Sequence, residues 1–257
     1  MSGALARRHP LARLGAAFVL MLFVFVALDG VTAALVLAVV IVAMPPSGVP
    51  LRSVASRAWP VVVAAIAIGL LNALLSAGGP GELLWAVGPL RLTDTSLLNG
   101  ASLAVRLVAI AVTALVGLAR VEPTELADAL TQQLHLPARF AIGALAATRL
   151  VPLFRMEWEI LGLARRARGI DAGRSPVAAV SLFGSRSHTL LTGAIRRGLR
   201  LAYAMDARGF GALPCRTSAR DRAFGAADWL VLAGAAATGA AATAVSVAAG
   251  TWRFVLG

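Results

Sequence analysis

Apolar residues dominate the chain from Leu14 to Met44, from about Trp59 to Ala77, from about Thr95 to Ala119 and from about Ala227 to Ala249. A helix that crosses a bilayer needs about 20 mostly apolar residues. The first run is too long for one ordinary span and slightly short for two, so charge decides. One span would separate Arg52 and Arg57 from Arg7, Arg8 and Arg13, whereas a hairpin of Leu14–Leu28 and Val31–Met44, turning at Asp29-Gly30, keeps both sets on the cytoplasmic side. The third run then leads out to Gly78-Gly79-Pro80-Gly81 and Glu82. This outside loop is expected to hold a short interfacial helix up to Leu90, with Arg91 as its only arginine. The fourth run returns the chain to the cytoplasm at Arg120.

From Arg120 to Arg174 arginines are dense, and the pattern is that of amphipathic surface helices. Pro123 suits the first turn of a helix, with Glu122 and Glu125 at the positive end of its dipole. That helix is predicted to reach about Leu134. His135-Leu136-Pro137 breaks it, and the next runs from near Pro137 to Arg168 with a kink expected at Pro152. The stretch from Pro176 to Ile195 is apolar over Val177–Phe183 but interrupted by Ser185-Arg186-Ser187-His188. As a span it would put Arg196, Arg197, Arg200, Arg208, Arg216, Arg220 and Arg222 outside, so it is read as part of the cytoplasmic helical region or a shallow re-entrant turn. The fold class is therefore all-α, a polytopic membrane bundle of about five spans with cytoplasmic amphipathic helices. Residues 1–119 form an N-terminal bundle, 120–226 a cytoplasmic region and 227–257 a last spanning helix, with the N terminus cytoplasmic and the C terminus external.

Composition sharpens this picture. Hydrophobic residues make up 59% and charged residues 14% of the 257, and mean hydropathy is +0.81, which belongs to a bilayer protein. The net charge of +12 would suggest nucleic acid in a soluble chain. Here the arginines flank apolar spans, so the partner is lipid and no nucleic acid is expected. All 24 basic residues are arginine, which removes both a phosphate-loop lysine and a lysine Schiff base. Any ATP is hydrolysed by another chain. The single Cys215 forms no internal disulfide, and His9, His135 and His188 are too scattered for a metal cluster. No catalytic, metal or cofactor site is expected. Arg7, Arg8 and Arg13 before an apolar run raise the possibility of a signal peptide, but no small-residue cleavage site follows, and the segment reads as a retained hairpin.

The tripeptide Ala-Arg-Gly occurs at Ala167-Arg168-Gly169 and again at Ala207-Arg208-Gly209. Each reads as a helix ending, with glycine taking a left-handed conformation just past the last turn and arginine favoured by the negative end of the dipole. Such an end holds a planar, permanently charged fork suited to a partner's carboxylate or carbonyls; a simple arginine-capped end with a solvated side chain is the alternative. Around the motifs lie Ala147-Thr148-Arg149-Leu150-Val151-Pro152-Leu153-Phe154, Glu157, Ala164-Arg165-Arg166-Ala167-Arg168-Gly169-Ile170-Asp171 and Ala202-Tyr203-Ala204-Met205-Asp206-Ala207-Arg208-Gly209-Phe210-Gly211. In order and spacing these strings resemble the transmembrane T component of energy-coupling factor (ECF) transporters, the EcfT family with its CbiQ and BioN-like members. The likeness is strongest from about Pro123 to Gly211, with a weaker echo in His9-Pro10-Leu11-Ala12-Arg13. It implies a non-catalytic coupling subunit of a vitamin or transition-metal importer in the cell membrane. Two ATPase subunits, identical or different, would dock on its coupling helices, and its membrane part would hold a substrate-binding S component. Carried over by motif position, Arg168 and Arg208 would be the principal contacts, shaped by Ala167, Gly169, Ala207 and Gly209, with Arg165, Arg166 and Asp206 as flanking candidates.

Three further features bear on this reading. Glu157 and Glu159 either pair with nearby arginines or form a solvated face. Arg106 lies inside the fourth apolar run, where it either faces the S component or meets backbone carbonyls. Gly234, Thr238, Ala242, Ser246 and Gly250 recur every four residues along the last helix, a small-residue packing face for this bundle or for another membrane subunit. A rival class is an integral-membrane enzyme acting on lipid or phosphate substrates through its arginine-rich face, though no nucleophile or acid–base pair is evident. A channel is a third, without a pore-lining pattern.

Overall fold

The computed structural model describes residues 9–76, 83–87, 90–119, 121–134, 136–173, 175–210 and 224–252. Arg7, Arg8, the Gly78–Glu82 loop, Arg120, His135, Arg174, Gly211, Cys215, Arg216, Arg220 and Arg222, on which expectations were placed, lie outside them. In chain order the elements are α1 (Pro10–Val26), α2 (Gly30–Ser47), α3 (Leu51–Leu75), β1 (Leu83–Val87), β2 (Leu90–Thr93), α4 (Asp94–Leu118), α5 (Pro123–Gln133), α6 (Ala138–Ala167), α7 (Pro176–Ala207) and α8 (Ala226–Ala248). They form two units, residues 1–129 with 222–257 and residues 130–221.

In the first unit α4 is the hub, packing on α1, α2 and α3, while α8 closes on α1 and α2. Among the described residues α3, α4 and α8 are long and apolar enough to cross a membrane, and α1 and α2 are shorter apolar helices. The Leu14–Met44 run is thus a helical hairpin, as the charge argument expects, turning at Asp29, whose carboxylate caps α2 by accepting from the Thr32 amide at 2.6 Å. The core is small: Val24, Ala33, Val36, Val40, Met44, Ala109, Val112 and Ala242 are buried together. Many larger apolar side chains face outward, such as Phe18, Trp59, Leu70 and Trp229, the arrangement that suits helices solvated by lipid.

Close packing comes from glycine. A Cβ on Gly69 would stand 2.5 Å from the Gly100 carbonyl oxygen, so the α3 and α4 backbones touch where neither can carry a side chain. The Phe23 ring covers Gly239 of α8 in the same way.

Polar contacts fix which ends meet. The His9 amide donates to Asp228 Oδ1 at 3.0 Å, and the His9 ring stands edge-on to Phe224, joining the start of α1 to the start of α8. Arg13 donates to the carbonyl of Ala119 at the end of α4. At the opposite end Ser246 Oγ donates to Asp29 Oδ2 at 2.7 Å. The chain therefore leaves the bundle after α4 and re-enters at α8 from the same end, and α1 and α8 run in the same direction.

Two local expectations are corrected and one is narrowed. Where a short interfacial helix was expected before Leu90, β1 and β2 pair antiparallel, Val87 opposite Leu90 and Ala86 opposite Arg91. The five residues of β1 are barely more than one helical turn, and a hairpin satisfies their backbone groups better. Of the two readings of Pro176–Ile195, the structure takes the helical one: the segment is part of the unbroken 32-residue α7. The four-residue stripe of α8 also divides. Ala242 and Ser246 are buried, Gly234 has nothing within 4 Å of its Cβ position, and Gly250 sits past the helix end at φ 68°. Because a turn takes 3.6 residues, a four-residue step drifts by about 40°, or about 160° from Gly234 to Gly250. The inward face is instead Asp228, Ala235, Gly239, Ala242 and Ser246.

Candidate functional site

The second unit contains the two Ala-Arg-Gly motifs. Helix α6 runs unbroken through Pro152 to Ala167, and α7 to Ala207. Their ends have the same geometry. Arg168 (φ −92°, ψ 9°) and Arg208 (φ −91°, ψ 7°) are the C-caps, followed by left-handed Gly169 (φ 76°) and Gly209 (φ 69°). The Gly169 amide donates to the Arg166 carbonyl at 2.9 Å and the Ile170 amide to the Arg165 carbonyl at 3.0 Å. At the second motif, Gly209 donates to the Asp206 carbonyl at 2.9 Å and Phe210 to the Met205 carbonyl at 3.0 Å. This double closure is a Schellman motif, and it needs glycine because an L side chain is strained at such φ.

Each closure leaves its arginine at the rim. Arg168 and Arg208 are exposed, as are Ala167, Ala207, Arg166 and Asp206, and neither guanidinium makes a hydrogen bond or ion pair among the described residues. Arg165 differs. It turns back onto α7, donating to the Leu182 carbonyl at 3.3 Å and to Ser185 Oγ at 3.0 Å, and so braces the pair from within.

Arg165 belongs to a wider brace that the sequence reading did not identify. The Arg186 guanidinium lies over the Trp158 ring at 5.8 Å, and Trp158 stands edge-on to Phe183 at 5.2 Å. Further along, Arg197 lies over Phe154 at 5.9 Å and pairs with Glu157. The order of these contacts makes α6 and α7 antiparallel. Glu157 therefore takes the paired role, while Glu159 is exposed. Spacing carries the signal in retrospect: Phe154 and Trp158 are one helical turn apart, and Arg186 and Arg197 three. The Ser185–His188 interruption stays helical because its polar groups are used: Arg186 packs on α6, Ser185 receives Arg165, and Thr189 and Thr192 return their hydroxyls to carbonyls one turn back.

Beyond this crossing the pair is open. Helix α7 buries no residue, and Val177, Val180, Phe183, Leu191, Ile195 and Tyr203 are each more than half exposed. Among the described residues no three His, Cys, Asp or Glu side chains gather to hold a metal ion. In the bundle, Arg106 donates from Nε to the Val24 carbonyl at 3.1 Å and from Nη2 to that of Phe25, the backbone-carbonyl arrangement anticipated for a charge in a span.

These features define a polytopic helical membrane protein that has, besides its bundle unit, a second unit containing a pair of arginine-ended, openly apolar helices. The family model for the cobalt transport protein CbiQ matches residues 2–218, and the chain belongs to that family. The chain is also 30% identical, over 159 residues, to the energy-coupling factor transporter transmembrane protein EcfT of Leuconostoc gelidum subsp. gasicomitatum; the match covers 59% of each chain.

Proposed function

We propose that this chain is the coupling subunit of an ECF-type importer, carrying movement from two ATPases to a substrate-binding membrane subunit that takes up a vitamin or a transition-metal ion. The observation that carries the proposal is the pair of helix ends closed in the same geometry, each presenting an unpaired arginine. Two equivalent anchors suit two ATPase subunits, each offering acidic or carbonyl groups to a guanidinium fork. Closure of the ATPases would shift the two ends relative to each other, and the apolar flanks of α6 and α7 would pass that shift to the substrate-binding subunit. This subunit hydrolyses nothing itself. Membership in the CbiQ family and likeness to an EcfT protein support the reading. On the proposed topology, Arg13, Ala119 and Phe224 mark the cytoplasmic end of the bundle in the cell membrane, and the Asp29 turn and the C terminus face outward, because the arginine-rich loops collect at the former end.

Arg168→Ala and Arg208→Ala are each expected to weaken retention of the ATPases by about ten- to a hundred-fold, the loss of one charge-assisted bond of about 1.5–3 kcal/mol. The double variant should abolish uptake while inserting normally. Copurification from mild detergent and uptake into cells measure both. Wild-type retention and uptake in the double variant would refute the coupling role.

A further inference from the structure

At the Asp29 end of the bundle the helices are unequal in reach. Helices α1 and α2 have 17 and 18 residues, whereas α3 and α4 have 25 each. Arg106 marks where α1 stops, bonded to Val24 and Phe25 near its end, and α4 continues for twelve residues from Arg106 to Asp94, about 18 Å at 1.5 Å per residue. The notch left above the α1–α2 turn is a cavity of about 750 Å³ whose polar lining is Asp29, Asn72, Asn99, Ser102, Arg106 and Thr251.

Several of these groups are left without partners. The side-chain amides of Asn72 and Asn99 and the Arg106 Nη1 make no hydrogen bond among the described residues. Asp29 is 5% exposed, and its Oδ1 has no hydrogen-bond partner. Arg106 lies thirteen residues from Ala119, so the notch floor is about 20 Å into a hydrocarbon layer of about 30 Å. An open guanidinium at that depth must meet water or a polar ligand. Asn99, seven residues further along α4, stands at about 30 Å, the outer edge of the layer, where a headgroup enters. The rim favours a lipid: Leu28 and Leu98, which also line the notch, are 43% and 66% exposed, and the neighbouring Phe25 is 60% exposed. A headgroup could thus enter while its acyl chains stay on apolar helix surface. Charge narrows the choice, since Asp29 and Arg106 together sum to zero and match a zwitterion better than an anion.

We propose that this notch binds one phospholipid with a phosphoethanolamine headgroup, drawn below the ordinary depth of its leaflet. Its phosphate would be met by Arg106 and the two asparagine amides, and its ammonium would lie toward Asp29. Bound lipid fills the mismatch between the short hairpin and the longer helices.

The test is native mass spectrometry of the full-length protein in detergent, titrated separately with dioleoyl phosphatidylethanolamine, dioleoyl phosphatidylglycerol and soluble glycerophosphoethanolamine. The wild type should keep one phosphatidylethanolamine about ten-fold more tightly than phosphatidylglycerol. The Asn72→Leu/Asn99→Leu double variant should lose about ten-fold of that affinity, the effect of two hydrogen bonds, at an unchanged thermal midpoint. Asn99→Gln, which keeps an amide, should retain the lipid. Equal retention of the two lipids, undiminished binding by the double leucine variant, or failure to retain any lipid would overturn the proposal. Equal affinity for glycerophosphoethanolamine would overturn the lipid as the source of the headgroup. The readout involves no ATPase, substrate-binding subunit or uptake, so its outcome is independent of the coupling role.

Discussion

The bundle and the α6–α7 pair are both made of long helices, yet they are held together by opposite means. In the bundle, backbones approach over Gly69 and Gly100, the Phe23 ring covers Gly239, and at each a neighbour occupies the space a side chain would need. In the pair, Gly162 also lies at the crossing, but the nearest atom to its Cβ position is the end of a flexible side chain, Arg186 Nη1 at 3.2 Å. One region is a fixed frame whose contacts cannot yield. The other is clasped by arginines over aromatic rings and keeps most of its apolar surface open, which the proposed contact with moving partners would use.

The sharpest way to break this contrast is to add bulk at both kinds of glycine. Gly100→Leu drives a side chain into the Gly69 carbonyl and should destabilise the bundle by about 3 kcal/mol, the upper part of the usual overpacking range. A loss of monodisperse protein and a lower thermal midpoint in detergent would report it. Gly162→Ala should do the reverse. Arg186 can shift by a few tenths of an ångström, and alanine is favoured over glycine inside a helix by about 1 kcal/mol, so the midpoint should hold or rise.

Next in size is the clasp. Arg186→Met keeps an apolar stem near Trp158 but removes the cation, for an expected loss of about 1–2 kcal/mol between α6 and α7. Hydrogen exchange should quicken in α6 and α7 and stay unchanged in α3, α4 and α8. Faster exchange throughout would mean that the pair and the bundle are one cooperative unit.

What was legible in the sequence follows the same division. Helix ends were readable at Ala-Arg-Gly because a left-handed glycine is a local requirement that three residues can announce. The α1–α2 hairpin was readable because charge on both flanks left one arrangement. The Asn72–Asn99 notch and the Arg186–Trp158 clasp were not, since each joins residues on different helices and depends on their relative reach. The α8 stripe misled for a different reason: equal spacing resembles a face only over a turn or two, after which drift carries Gly234 round to the outside.

A smaller effect should come from pH at the Asp29 turn. Burial pushes the Asp29 carboxyl up, but the bonds that its Oδ2 accepts from the Thr32 amide and the Ser246 hydroxyl outweigh it and hold the group below its ordinary value. A depressed carboxyl pKa stabilises the fold above the unfolded value of about 3.9, and the contribution is lost as pH falls through the folded value. The wild type should therefore lose stability on acidification below about pH 4. Asp29→Asn should be less stable at neutral pH and lack this component of the acid transition. Parallel acid profiles for the two proteins would show that Asp29 is not linked to folding.

The smallest effect lies on the outer face of α8, at Thr238, and is read against a larger one on the inner face. Ala242 is 5% exposed and faces the core, so Ala242→Leu overpacks a site that cannot open and should resemble Gly100→Leu in kind, at about 1–3 kcal/mol. Thr238 lies one turn earlier, and its hydroxyl donates to the Gly234 carbonyl of its own helix at 2.8 Å. Leucine there gives up that internal bond and extends toward the open side at Gly234, so the thermal midpoint should move by no more than about 0.5 kcal/mol equivalent. Melting both variants in the same detergent tests the assignment. A Thr238→Leu loss as large as that at Ala242 would mean that α8 is rotated from the orientation set by Asp228, Gly239 and Ser246, and the Asp29–Ser246 bond would then fail with it.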